Sequence, residues 1–236
     1  MPNHITNRIE IKGDLDRVKS ILQKIKNDEA GMGTIDFEKI IPMPDNIFKG
    51  NLGPREQELY GKNNWYDWSV ANWGTKWNAY GFEPDTDHSK EKEIRFLTAW
   101  SAPHPILEKL AKLFPDVKLE HEWADEDIGM NCGRCVYYDG ERIEEYYPES
   151  QKDRLEFAAR VMDIRLEEAC GLYLNASETE YINIEYDDEY ELIELFGQPA
   201  LFTNDRITDA DIPKGMVLSI SLDTFYSNKN YAARKI

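Results

Sequence analysis

Ile5-Thr6-Asn7-Arg8-Ile9-Glu10-Ile11-Lys12-Gly13-Asp14, leading into Leu15, Val18, Ile21, Leu22 and Ile25, is the stretch on which the fold turns. Its first eight residues place Ile5, Ile9 and Ile11 on one side of an extended chain with polar residues between them, the period-two pattern of a half-buried strand. Gly13 ends that strand, and Asp14 supplies an N-cap oxygen. The apolar residues that follow then gather into one stripe of a helix closing near Asn27.

The same order recurs downstream. After Gly31-Met32-Gly33, residues 34–41 alternate Ile35, Phe37 and Ile41, which predicts a second strand stopped by Pro42 and Pro44. Residues 93–99 predict a strand, 105–114 a helix with Ile106, Leu107, Leu110 and Leu113 inward, and 117–123 another alternating strand. Two β-α-β units predict a ferredoxin-like split βαβ arrangement, a four-stranded antiparallel sheet with two helices on one face and the other face open. The interruption at about 42–92 is aromatic-rich and too long for a simple loop. It is expected to pack as a substructure on the sheet, with a short helix over 64–73.

Asp139-Gly140, between two β-like runs within 129–147, is a strong hairpin signal. These parts make a first domain of residues 1–148. A helix over 151–170, striped by Leu155, Ala158, Val161, Met162, Leu166 and Ala169 and stopped by Gly171, opens a second unit over 149–236. There, β-rich runs at 181–186, 199–203 and 216–222 alternate with turns. The fold class is therefore α+β, a ferredoxin-like sheet with an aromatic-rich insertion plus a small α+β C-terminal unit.

Composition narrows the functional classes. An aromatic content of 12% marks a folded chain, since a disordered one of this charge would be poor in Trp, Tyr and Phe. No run approaches the roughly 18 uncharged apolar residues of a membrane-spanning helix, and Met1-Pro2-Asn3-His4 opens straight into a charged strand pattern instead of a signal peptide. Three cysteines, Cys132, Cys135 and Cys170, are too few for a disulfide framework. The expectation is a cytoplasmic protein without a membrane partner.

The net charge of −17 is spread evenly, with 19 basic and 28 acidic side chains in residues 1–150 and 9 and 17 in the remainder. Neither half neutralises phosphates well, so nucleic acid is a poor partner for the chain as a whole and a basic protein a better one. Residues 178–194 hold eight acidic side chains and no basic one, a solvated face or a contact for something cationic. Oligomeric state is not legible.

Met1-Pro2-Asn3-His4-Ile5-Thr6-Asn7, Ile40-Ile41-Pro42-Met43-Pro44, Asn72-Trp73-Gly74-Thr75-Lys76-Trp77-Asn78 and Thr98-Ala99-Trp100-Ser101-Ala102-Pro103 together resemble the YubB-type ferredoxin-like domain family over about residues 1–135. Phe196-Gly197-Gln198-Pro199-Ala200-Leu201-Phe202-Thr203-Asn204, with Ile207 and Ile212-Pro213-Lys214-Gly215, is similar to a small domain appended to large polyvalent proteins of mobile elements. The resemblances imply a plasmid, phage or conjugative transposon as the genetic setting and no particular reaction.

The candidate binding residues are Asn72, Trp73, Gly74, Thr75, Lys76, Trp77 and Asn78. Two indoles and a cation beside a turn-permitting glycine can stack on a base or hold an anion. Equally, Trp73 and Trp77 can cover the sheet while Asn72 and Asn78 bond loop backbone. Cys132-Gly133-Arg134-Cys135 has metal or redox spacing but lacks a second ligand pair and sits in strand-like sequence. Asp125, Glu126 and Asp127 lack the ligand order of a calcium loop. His4 is a candidate buried hydrogen-bonding residue and His88 a loop residue. Tyr137, Tyr138, Tyr146 and Tyr147 flank the hairpin, as an interface or as packing.

No catalytic, metal or cofactor fingerprint is found, so no cofactor is expected. The leading reading is an accessory protein of a mobile element that binds a protein partner. The alternatives are association with single-stranded nucleic acid and an enzyme whose site is unrecognised.

Overall fold

The structure, a computed structural model, describes residues 2–82, 93–175, 177–183, 191–195, 198–202, 214–215, 217–219 and 234–235. The chain divides into two units, residues 1–148 and 149–236. The first runs β1 (His4–Lys12), α1 (Leu15–Ile25), a 3-10 turn (Phe37–Lys39), α2 (Pro54–Tyr60), α3 (Trp65–Trp73), β2 (Ile94–Ala99), α4 (His104–Leu113), β3 (Lys118–Asp125), β4 (Cys132–Tyr138) and β5 (Glu141–Tyr146). Asp14 caps α1, its carboxylate accepting the N–H groups of Asp16 and Arg17 at 3.1 Å each.

The fold is α+β. Five strands form one antiparallel sheet in the order β2-β1-β3-β4-β5. Both β2 and β3 run opposite to β1, which lies between them. The segment β2-α4-β3 is thus a split βαβ unit. The hairpin joining β4 to β5 turns through Asp139 and Gly140, both at positive φ, 51° and 75°, as a two-residue turn matched to strand twist requires.

Residues 34–41 are not a strand, against the expectation from their alternation. Asp36 and Asn78 take the backbone N–H groups that a sheet would need: the Asp36 carboxylate accepts from Glu38 at 3.0 Å and the Asn78 amide oxygen from Phe37 at 2.8 Å. The chain coils into the 3-10 turn, and Ile35, Phe37 and Ile40 go inward. At the outer edge of β2, Tyr80 exchanges two backbone hydrogen bonds with Leu97, at 3.1 and 2.7 Å, and on its other side the sheet grows through β4 and β5.

One face of the sheet carries the core. Ile5 and Ile9 of β1, Ile94 and Phe96 of β2, Leu119 and Trp123 of β3 and Tyr137 of β4 pack with Ile21 and Ile25 of α1, Ile106, Leu107 and Leu110 of α4, and Trp73 of α3. The insertion therefore joins the covered face, as far as its residues are described. Two residues of the expected helix stripes do not: Leu15, the first residue of α1, is 76% exposed, and Leu113, the last of α4, lies on the surface.

The opposite face is a lattice of ion pairs. Arg8 reaches Glu93 at 2.6 Å, Lys12 and Lys118 meet Glu120 at 3.0 and 2.7 Å, and Arg134 meets Glu144 at 2.6 Å. Hydrogen-bonding Lys118 and Lys12 hold the Glu120 carboxyl down to about 2. The open face is thus charged and internally matched.

The second unit begins with α5 (Gln151–Met162) and α6 (Leu166–Cys170). The single helix expected over 151–170 is broken because Asp163 adopts a left-handed conformation, φ 59°, and closes α5. Ser150 starts α5 by accepting the Asp153 N–H at 3.0 Å. β6 (Leu172–Leu174) pairs antiparallel with β7 (Tyr181–Asn183). The backbones of β8 (Glu191–Leu195), β9 (Gln198–Phe202), β10 (Val217–Ser219) and β11 (Arg234–Lys235) form a sheet in the order β11-β10-β9-β8. Ile207, Ile212-Pro213, His88 and residues 184–190 of the acidic run at 178–194 lie outside the described residues.

Candidate binding site

α3 starts at Asn64, whose side chain accepts the Asp67 N–H at 3.0 Å, and ends at Gly74 in the left-handed region, φ 77°. A side chain at 74 would be strained by that φ and would bring a Cβ within 2.7 Å of Pro105. The turn directs the candidate residues in different directions. Trp73 points into the core, 4% exposed, and donates its indole N–H to the Ile41 carbonyl at 2.8 Å. Thr75 is buried and joins the end of β2, donating to the Ala99 carbonyl at 2.8 Å and accepting the Ala99 N–H at 3.0 Å. Asn72 donates to the Trp68 carbonyl, and Asn78 clasps the 3-10 turn through Asp36 and Phe37. These four residues hold the fold together.

Lys76 and Trp77 face outward and meet Trp100, which the sequence reading named only within the motif carrying the family resemblance. The Lys76 ammonium lies 4.6 Å from the Trp77 ring centre and 4.8 Å from that of Trp100. Trp77 is 38% exposed and Trp100 43%. Tyr80 packs edge-on against Trp77 at 5.9 Å, and Tyr66 against Trp100 at 6.2 Å. Tyr80 is held in turn by His4, whose Nδ1 is 2.7 Å from the phenol oxygen. No carboxylate pairs with Lys76 among the described residues. His4 is accordingly half-buried and hydrogen-bonded.

Trp100 has φ 73°, a left-handed conformation that costs a bulky residue on the order of 1–3 kcal/mol. Its surroundings impose it. The Trp100 N–H donates to the Asn3 carbonyl at 2.9 Å, Thr75 fixes Ala99, and the Thr98 hydroxyl donates to the Ser101 carbonyl at 2.8 Å. Thr98 also accepts from Asn7 at 2.9 Å, and the oxygen of Asn7 lies 3.0 Å from Nε2 of the buried His121. A chain of hydrogen bonds thus runs from the core to Ser101, next to the residue that presents the second indole.

The other candidates are structural. Cys132 and Cys135 are three apart on β4, so their thiols leave opposite faces of the strand and cannot share a disulfide or an ion. Burial pushes the Cys135 thiol up, away from reactivity. Asp125 accepts from Asn3 and from the Asp127 N–H, which ties the acidic loop to the N-terminal strand. Among the described residues, no group of three His, Cys, Asp or Glu is placed to hold a metal ion. Of the hairpin tyrosines, Tyr137 is fully buried, whereas Tyr138, Tyr146 and Tyr147 are exposed.

Gly133 between the cysteines has a plain packing role. A Cβ there would lie 2.8 Å from the Trp123 ring and 3.0 Å from the Tyr146 carbonyl. Gly133→Ala is expected to cost about 1–3 kcal/mol in a urea titration. An unchanged midpoint would show that the ring moves aside freely.

The fold and patch define an α+β protein with a ferredoxin-like domain and one exposed aromatic–cation cluster. A family model described as the ferredoxin-like domain in Api92-like protein matches residues 72–165, from the candidate motif through β2, α4, β3, β4 and β5 to just past the end of α5. A second, described as large polyvalent protein associated domain 28, matches residues 186–218. No curated protein matches. A solved structure, the protein api92 from Yersinia pseudotuberculosis, is similar at 18% identity and a TM-score of 0.32, over 49% of this chain and 40% of that one. The chain thus spans about two fifths of that protein's length. No helix among the described residues is long and apolar enough to cross a membrane.

Proposed function

We propose that this chain is an accessory binding protein of a mobile genetic element and that it holds a basic protein partner through Trp77 and Trp100, the two indoles on either side of Lys76. The observation that carries the reading is Trp100, a large aromatic residue kept in a strained backbone conformation and yet left 43% exposed. Strain maintained by a surrounding network, around a side chain that buries little of itself, is more economical as a presented contact than as packing. The net charge of −17 favours a basic partner. The genetic setting is supported by the match of residues 186–218 to a polyvalent-protein domain.

The test is retention of partners by the tagged native chain and by Trp100→Gly from lysate of a cell carrying the element, at low and high salt. Glycine accepts the φ of 73° without strain, which offsets part of the lost ring packing, so stability is expected to change by no more than about 1 kcal/mol. Partner retention is expected to disappear in the variant and to weaken with salt in the native protein. A partner held equally by both would place the contact elsewhere.

A second reading has one observation in its favour, a cation between two stackable indoles, the arrangement that grips a single strand through bases and phosphate. It requires quenching of tryptophan fluorescence by mixed-sequence single strands at low salt and loss of that quenching in Lys76→Ala. The overall negative charge opposes it.

A further inference from the structure

Two exposed indoles buttressed by Tyr66 and Tyr80 have the composition of an aromatic cage for a cation, and the cage already holds one, the chain's own Lys76. That cation has no carboxylate partner among the described residues and is held by the ring faces. An ammonium kept over two indoles by a flexible four-carbon stem is displaceable, because the stem can swing into water at little cost. The rings are held more firmly, Trp77 against Tyr80 and Trp100 against Tyr66, and the backbone at Trp100 is fixed by the hydrogen bonds of Asn3, Thr75 and Thr98.

We infer that Trp77 and Trp100 form a clamp for an ammonium or guanidinium side chain of a basic partner, with Lys76 as an internal placeholder that the partner's cation displaces. The inference rests on the proposed binding role and names its chemistry. The occupant follows from what sits there now, a cation, and from the sign of the chain, −17. The placeholder keeps the indole faces covered by a polar group while the site is unoccupied, and it lowers affinity for cations by the competition it offers.

The placeholder is distinguished from a contact by the sign of one substitution. A dye-labelled eight-residue Lys/Arg peptide, with a Gln-substituted peptide as control, is titrated at physiological salt with native protein, Lys76→Ala and Lys76→Gln, reading the fluorescence anisotropy of the label. Both variants are expected to bind the basic peptide about fivefold more tightly than native, the size of one exposed cation–π contact. Adding Trp77→Ala and Trp100→Gly to Lys76→Ala is expected to abolish that gain, which separates release of the clamp from the loss of one positive charge. Unchanged or weaker binding by the Lys76 variants, or a gain that survives without the indoles, overturns the inference. The proposed binding role fails separately, if partner retention from lysate ignores Trp100→Gly.

Discussion

Trp73→Ala is expected to destabilise the 1–148 unit by about 3–5 kcal/mol, the largest effect of any substitution in the Asn72–Asn78 motif. The indole is almost wholly buried, meets Phe37 and Trp68 edge-on at 5.9 and 5.4 Å, and donates to the Ile41 carbonyl. Alanine therefore opens a cavity where α3 meets the core and strands a carbonyl at the end of the 3-10 turn. Trp73→Phe, which retains most of the ring and loses the N–H, should cost less than half as much. Trp77→Ala, four residues on and exposed, should cost no more than about 1 kcal/mol. Urea titrations followed by circular dichroism measure all three. Similar midpoints for Trp73→Ala and Trp77→Ala would contradict the division of the motif into a core half and a surface half.

Acid is expected to weaken the protein from about pH 6.5 downward, well before its carboxylates titrate. His121 is fully buried beneath α4, stacked on Trp123 and edge-on to His104. Asn7 donates to Thr98 and to the Ile5 carbonyl, so its oxygen faces His121 and accepts the Nε2 proton. Nδ1 is then left with a lone pair and no partner, and protonation there would put an unsatisfied cation in the core. Burial, and next the neighbouring His104, push the His121 imidazole well below its ordinary 6.5; burial likewise lowers His104.

The sign follows from proton counting. Below 6.5 the unfolded chain binds a proton at His121 that the folded chain does not, so stability falls as pH falls, by about 1.4 kcal/mol per pH unit for this residue. His104 adds in the same direction. Glu120 acts in a lower window, its stabilisation present above its ordinary 4.5 and lost as pH falls toward about 2. Urea titrations between pH 7.5 and 5 separate the two windows. His121→Gln keeps a donor for Asn7 but cannot titrate, so it is expected to flatten the slope by about one proton. Native stability that is level from pH 6.5 to 5 would show that the core admits water or charge at His121.

Where local pattern and tertiary demand coincide, the elements were legible. β1 and α1 are written by alternation, a glycine stop and an Asp cap, and the β4–β5 hairpin by Asp139-Gly140, because strand period, helix period and turn conformation are all set within a few residues. The second-strand expectation at 34–41 failed for a nonlocal reason. Asn78, some forty residues away, bonds the backbone of Phe37 and turns an alternating run into a 3-10 turn. Likewise Asp163 breaks the expected 151–170 helix by taking a conformation that its periodicity did not mark.

The candidate site divides in the same way. Composition and local pattern are enough to specify an acidic α+β chain with a strand–helix start, a hairpin near its first boundary and a motif dense in indoles around Lys76. Packing between distant segments makes Trp73 core and Trp77 surface, since two tryptophans flanking a helix stop are chemically alike until a sheet is placed beneath one of them. It also brought Trp100, more than twenty residues away, to the other side of Lys76. Composition and periodicity report what each residue prefers. Which indole is buried and which is presented depends on contacts between segments distant in the chain, formed only as α3 packs on the sheet and Thr75 joins the end of β2.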